Sequence, residues 1–219
     1  MDKNALPPPY SNKKYNKEKK MKKLILILLL LLSLSACGYS EPNSVFTVKA
    51  VGIYENGIIL KGDTEMKGEG KTPKDATKDI KTKLGKKFSF EHCGIIVLEN
   101  IKGEKLSSAL LFLRESGVPL RTNIVCTDNI SALFQNERVG ELPSLLSLCK
   151  KEFSFGGNTA LFEIETAILI NGGSFALPRV SVSGKEIKIE GLLTYQNSRP
   201  REKLNIKQST NYAKEILKK

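Results

Sequence analysis

The chain has 219 residues, of which 40% are hydrophobic and 26% are charged, a composition typical of a globular protein that excludes a disordered tail. The formal net charge is +12, but eight Lys and two acidic residues in segment 1–36 supply half of it, which leaves +6 for residues 37–219 (12 − 6). Because the remaining Lys and Arg residues are interleaved with acids and lack aromatic platforms, we expect no nucleic-acid partner, and a weak attraction to anionic lipid fits better.

Residues 1–36 are expected to be a leader that ends in a signal peptide. Four Lys residues between positions 19 and 23 precede an unbroken apolar run from Leu24 to Leu32. This run and its Ser/Ala extension to residue 36 would rise about 20 Å as a helix, short of the roughly 30 Å hydrocarbon core. The sequence therefore predicts a cleavable signal peptide rather than a transmembrane anchor. Since Met21 already begins a complete signal peptide, we expect translation to start there.

The end of the apolar run, Leu34-Ser35-Ala36-Cys37, resembles the lipobox of bacterial lipoproteins. In such a box the cysteine thiol takes a diacylglycerol before the preceding peptide bond is cut, and its acyl chains contribute about 0.8 kcal/mol per buried methylene. The alternative is a plain secretory signal followed by a chance cysteine. We predict lipid attachment at Cys37 on the outer face of the cytoplasmic membrane, with residues 37–44 as a tether.

Residues 45–150 are predicted to form an α/β domain. Apolar and β-branched residues predict a hairpin over Val45–Lys61. A loop at Gly68–Lys71 then leads to a helix that Thr72 caps and Gly85 ends. The later elements predicted in chain order are a strand at Cys93–Leu98, a helix at Leu106–Arg114, a strand at Thr122–Thr127, a short helix from Asp128 or Asn129 to Phe134, and a helix at Leu142–Lys150.

Residues 151–219 are predicted to form a smaller, β-rich domain with a basic helical end at Tyr212–Lys219. An apolar segment, Thr159–Ile170, is compatible with either a helix or a strand. Short strands are expected at Val180–Val182, Glu186–Glu190 and Leu192–Tyr195. The expected fold class is therefore α+β: a mixed α/β N-terminal unit followed by a smaller β-rich domain, behind a lipoprotein signal peptide.

Besides Cys37, the chain has three cysteines at positions 93, 126 and 149, so at most one internal disulfide can form. Their apolar neighbours favour buried, reduced thiols over a disulfide. The adjacent His92 and Cys93 would diverge on a strand, and no C-x-x-C pair exists. We therefore expect no metal site.

No pattern of catalytic residues is evident. Gly68–Thr72 resembles a phosphate-binding loop, but Glu65 occupies the position of its first glycine, so a turn before a capped helix is favoured over nucleotide binding. His92 is the only histidine, and any mechanism with a histidine base must use it. A structural, packed histidine is favoured over a general base. We expect no catalytic residues and no cofactor.

The order of several short motifs along the chain is similar to that of a known family. Gly70-Lys71-Thr72 enters a helix, His92 precedes a strand, and a helix ends at Arg114 with Arg121 after it. Two later segments, Leu177-Pro178 and Ile189-Glu190-Gly191, continue the likeness. This order resembles the Ger(x)C family, the lipoprotein C subunits of spore germinant receptors, and it implies mainly structural roles for the motif positions Gly70, Lys71, Thr72, His92, Arg114 and Arg121.

The resemblance implies a function without chemistry. A C subunit lies on the outer face of the spore's inner membrane beside two integral membrane subunits, A and B, and the complex senses germinants. Family members have a third domain beyond the position of Lys219, so we expect a short or C-terminally truncated member. The alternatives are a stand-alone extracytoplasmic ligand-binding lipoprotein and a cell-wall-active enzyme.

Overall fold

A computed structural model describes residues 22–25, 45–153 and 159–216. Residues 22–25 are helical and belong to one unit, and residues 45–216 belong to another, compact unit. The predicted lipobox, Leu34 to Cys37, and the tether lie outside the described residues. Within the described ranges, no helix is both long enough and apolar enough to cross a membrane.

Strands and helices alternate through the first two thirds of the larger unit, and strands dominate after residue 174. The strands are β1 (Val45–Thr47), β2 (Ala50–Tyr54), β3 (Gly57–Lys61), β4 (Glu65–Glu69), β5 (Lys87–Ser89), β6 (Ile95–Glu99), β7 (Asn123–Thr127), β8 (Phe175–Ser183), β9 (Glu186–Gln196) and β10 (Arg199–Asn205). The helices are α1 (Pro73–Leu84), α2 (Glu104–Glu115), α3 (Ile130–Gln135), a 3-10 helix (Glu137–Glu141), α4 (Leu142–Phe153), α5 (Leu161–Ile170) and α6 (Ile206–Ile216).

Eight of the strands form one mixed sheet in the order β10-β9-β8-β7-β6-β2-β3-β4. The four inner strands, β2, β6, β7 and β8, run parallel, and an antiparallel pair of strands extends the sheet on each side. The short strands β1 and β5 pair in parallel outside this sheet, with Val45 opposite Lys87. The fold is therefore α+β, as the sequence predicts.

Helices cover both faces of the sheet, which explains why its inner strands are apolar throughout. On β6, Ile96 and Leu98 pack in one buried cluster with α1, α2 and α5. Their neighbours Ile95 and Val97 belong to a second cluster with α3 and α4. Because side chains alternate along a strand, the two clusters lie on opposite faces. Each fully buried Leu or Ile contributes about 1.5–3 kcal/mol.

Capping residues fix the first helix where the sequence predicts it. The Thr72 hydroxyl oxygen accepts a hydrogen bond from the Asp75 N–H at 3.2 Å and donates one to the Asp75 carboxylate at 2.7 Å. At the other end, Gly85 has φ +65° and its N–H bonds the Lys81 carbonyl at 2.9 Å. Of the two candidates for the cap of α3, Asn129 is the one that accepts from the Ala132 N–H, at 2.9 Å.

The predicted loop at Gly68–Lys71 is wrong in its first half, because β4 continues to Glu69 as an outer strand paired with β3. Because β4 is mostly polar, its composition does not indicate that it pairs with β3. Gly68 is buried against α1, and a side-chain carbon there would clash with the Ala76 carbonyl oxygen. The strand thus needs a residue without a side chain at the position where the helix crosses it.

The undecided segment Thr159–Ile170 contains the helix α5. Its N-terminus is stabilised by the Glu163 carboxylate, which accepts from the Thr159 N–H at 2.8 Å and the Ala160 N–H at 3.0 Å. Leu161, Ile164 and Ala167 form its buried side. This apolar run therefore forms a helix, although its periodicity alone does not distinguish a helix from a strand.

The C-terminal strands belong to the same sheet as the strands before residue 150. β8 runs parallel to β7, with Cys126 opposite Arg179 and Thr127 opposite Val180. The predicted boundary at residue 150 therefore does not separate two sheets. Without β8, the apolar strand β7 would be an exposed edge.

The predicted short strands after residue 179 are parts of two longer strands, β8 and β9. A further strand that the sequence did not predict, β10, pairs with β9. Gly191 interrupts β9 where the register with β8 shifts, and its φ is +147°. A side-chain carbon at Gly191 would clash with the Leu204 carbonyl oxygen of β10. The predicted helical end at Tyr212 starts earlier, with α6 at Ile206.

Replacing Gly191 by Ala should lower the free energy of unfolding by about 2–3 kcal/mol, because the methyl group meets the Leu204 carbonyl and the backbone conformation disfavours a side chain. Urea denaturation of the chain without its leader measures the change. Gly140→Ala is the matched control, since no atom lies within 4 Å of the added carbon. Equal effects of the two substitutions would contradict this account of β9 and β10.

Candidate functional site

The six motif positions do not form a single site. Gly70, Lys71 and Thr72 lie at the carboxyl ends of the parallel strands, where the Gly70 N–H bonds the Asn56 carbonyl at 3.0 Å. His92 lies before β6, at the opposite edge of the sheet. The other two positions, Arg114 on α2 and Arg121 before β7, are exposed. These residues are therefore not brought together for a common reaction.

A cavity of about 170 Å³ lies between the turn at residues 70–73 and the N-terminus of α2. At its rim, Lys105 Nζ donates to Glu55 Oε1 at 3.0 Å, and this hydrogen bond lowers the pKa of the Glu55 carboxyl below its ordinary value. We call this space the β4–α1 cavity. Its lining residues are Ile53, Tyr54, Glu55, Gly57, Gly70, Lys71, Thr72, Pro73, Ile101, Glu104, Lys105 and Ser108.

The predicted packing role of His92 is wrong. Its side chain is exposed in a turn, in which the Cys93 N–H bonds the Phe90 carbonyl at 2.9 Å. Phe90 and Cys93 take the two core positions on either side of the turn, which leaves His92 in solvent. Within the described ranges, no hydrogen bond or ion pair of the imidazole is found.

Exchange of His92 for Gln should change the free energy of unfolding by no more than about 0.5 kcal/mol, as for other surface substitutions. Phe90→Ala provides the sensitivity control and should cost about 3–5 kcal/mol, because Phe90 is buried. Both values come from urea denaturation monitored by circular dichroism. A loss of several kcal/mol in the His92 variant would show that the imidazole packs after all.

Burial of the thiol is confirmed for two of the three cysteines outside the lipobox. Burial raises the pKa of Cys93 and that of Cys126 to about 12 each. The Cys93 thiol donates to the Ile95 carbonyl at 3.4 Å, and the Cys126 thiol to the Pro178 carbonyl at 3.4 Å. Both are reduced. Cys149 on α4 is half-buried, so the expectation of burial is wrong for it.

Cys93 and Cys126 should resist alkylation by iodoacetamide at pH 8 in the folded protein, because almost no thiolate forms when the pKa is about 12. In urea without a reductant, both should be labelled completely. Peptide mass spectrometry locates the label. Labelling of either residue in the folded protein at the rate found in urea would contradict its burial.

Sequence reasoning missed two groups of side chains. The first is an ionic network in which Arg179 contacts the carboxylates of Asp128 and Glu190, and Lys203 contacts Asp128 at 2.7 Å. Its residues are distant in sequence, so no local signal reveals it. The members of this network connect neighbouring strands. Among the described residues, no group of three His, Cys, Asp or Glu side chains is placed to bind a metal ion.

The second group is an exposed apolar surface on α2, α5 and the segment before β7, which we call the α2–α5 face. Its members are Leu111, Leu120, Phe162, Leu169 and Ile170. Arg114 and Glu165 line the groove between the two helices together with Leu111 and Leu169. The apolar run at 161–170 is the sequence signal, but it identifies a surface only once the helix and its buried side are known.

Comparison with protein-family models, with characterised proteins and with solved structures finds no match to the chain. The likeness in motif order described above therefore stays a prediction.

Proposed function

We propose that the protein is a lipid-anchored, non-enzymatic C subunit of a spore germinant receptor of the Ger(x)C type. It acts in germination through contacts with the integral membrane A and B subunits. The observation that carries this proposal is the sequence of Leu24–Cys37, which has the pattern of a signal peptide and lipobox, followed by the motif order from Gly70 to Gly191. The anchor places the protein on the outer face of the membrane in which its partners lie.

The positions that carry the resemblance support an assembling protein rather than a catalyst, because several of them maintain the fold. Thr72 caps α1. The carbonyls of Leu177 and Pro178 face the buried Cys126 thiol. Gly191 allows the close approach of β10. A subunit that acts by contact needs a rigid surface, and these residues fix the strands and helices that present it.

One observation favours the alternative of a stand-alone ligand-binding lipoprotein. The β4–α1 cavity has both apolar and charged lining residues, which is typical of small-molecule sites. Its volume of about 170 Å³ is below the roughly 300–1,000 Å³ of most ligand pockets. It therefore suits only a small ligand, and we retain receptor assembly as the leading function.

Affinity purification from detergent-solubilised spore membranes tests the proposal. The wild-type protein should recover two multi-span membrane proteins, identified by mass spectrometry. Cys37→Ala should recover neither and should leave the membrane fraction or accumulate as uncleaved precursor, since only this thiol carries the lipid. Cys149→Ala keeps the lipobox and is the control.

A different result of the purification would favour the ligand-binding alternative. If the wild-type protein is recovered without membrane partners, and a small molecule raises its melting temperature by several degrees, then ligand binding is the function. A variant in the β4–α1 cavity, Ser108→Phe, would then remove the rise in melting temperature.

A further inference from the structure

We propose that the α2–α5 face rests on the lipid bilayer, with its apolar side chains at the boundary between headgroups and acyl chains of an anionic membrane. This inference rests on the proposed lipid anchor at Cys37 and goes beyond it, because it names the surface of the folded protein that touches lipid.

Exposed apolar residues are concentrated on this face. Of the seven large apolar side chains that are exposed between residues 45 and 216, as far as the structure describes them, five lie here and only Leu148 and Ile206 lie elsewhere. Leu169 and Ile170 are 83% and 76% exposed. A surface helix of a soluble protein normally turns polar residues outward, so an outer side this apolar indicates a contact surface.

The members of the face are contiguous. Phe162, Leu169 and Ile170 recur on α5 at the seven- and eight-residue spacing that places side chains on one side of a helix. The Phe162 N–H bonds the Leu120 carbonyl at 3.0 Å, which brings Leu120 to the start of this stripe. Leu111 lies across the groove from Leu169. The result is an apolar strip along α5 with α2 at its side.

The charges around the strip suit anionic lipid. Arg114 lines the groove and Arg121 directly follows Leu120, and both are exposed. Their long side chains can lie along the apolar strip while the guanidinium groups reach lipid phosphates, which they bind with two parallel hydrogen bonds. Of the acids on α5, Glu163 is engaged at the helix N-terminus, and Glu165 is half-buried in the groove beside Arg114.

The tether favours the bilayer over a second copy of the chain as the occupant. From the predicted lipid on Cys37 to the first described residue, Val45, there are eight residues (45 − 37), which span at most about 28 Å. A body of this size has a radius of gyration of about 16 Å. The bilayer therefore always lies within about one protein diameter of the folded body. The local concentration of lipid near the α2–α5 face is then high, so that even a weak apolar contact forms.

Vesicle sedimentation of the chain that begins at Gly38 tests the inference without the lipid. This chain contains every strand and helix of the compact unit described above. At millimolar lipid it should sediment with vesicles of phosphatidylglycerol and phosphatidylcholine. The double variant Leu169→Gln/Ile170→Gln should bind about tenfold more weakly, because two exposed apolar side chains no longer enter the interface.

Matched variants separate the apolar contribution from the ionic one. Leu148→Gln removes a side chain of 49% exposure from α4, outside the face, and should bind as the wild type does. Arg114→Gln/Arg121→Gln should lose the preference for anionic over pure phosphatidylcholine vesicles, whereas Arg201→Gln on β10 should keep it. Unchanged near-ultraviolet circular dichroism confirms that each variant is folded.

Three outcomes would overturn the inference. The first is that the wild-type chain stays in the supernatant; if the double variant of the full-length protein then also loses the membrane proteins, the face belongs to a protein partner. The second is that the double variant binds vesicles as well as the wild type does. The third is a dimer that the double variant abolishes, which would assign the face to a second copy. Because Cys37 is absent from the vesicle experiment, failure there leaves the proposed anchor and receptor function untouched.

Discussion

The parallel pairing of β7 with β8 is the constraint on which the C-terminal third of the protein depends. It joins two residue pairs, Cys126 with Arg179 and Thr127 with Val180. The Arg179 side chain, which is only 18% exposed, contacts the carboxylates of Asp128 and Glu190 on the two neighbouring segments. Loss of both acids would leave a largely buried charge without a partner, which costs far more than a surface ion pair contributes. The position of β8 in turn determines where β9, β10 and α6 lie.

This architecture separates the residues that build the fold from those that present a surface. α5 follows α4 and precedes β8 in the chain, and its buried side belongs to the same core as α1 and α2. Its outer side is left apolar. The two motif arginines, Arg114 and Arg121, are beside that outer side, whereas Thr72 and Gly191 hold local structure. Among the described residues, the exposed apolar side chains are thus concentrated on the α2–α5 face, while other residues maintain the frame of strands and helices.

Local signals predicted local structure well. Thr72, Pro73 and Gly85 define α1 because caps act within one turn of the helix. The sequence did not reveal β4, whose five residues are mostly polar and are held by pairing with β3. α5 stayed undecided because a helix that is apolar on both sides has no clear period. The two predicted domains share one sheet because residues more than 50 positions apart pair between β7 and β8. A local sequence pattern does not indicate such pairing. His92 was misplaced because a turn, rather than a strand, precedes β6.

The central claim is that the folded body stands on a membrane through lipid on Cys37, since both the receptor role and the orientation of the α2–α5 face depend on it. Intact-mass and N-terminal peptide mass spectrometry of the protein isolated from membranes tests this claim directly. We expect a chain that begins at Cys37 and carries a diacylglycerol thioether on that residue. A mature chain that begins elsewhere, or one that begins at an unmodified Cys37, would contradict it.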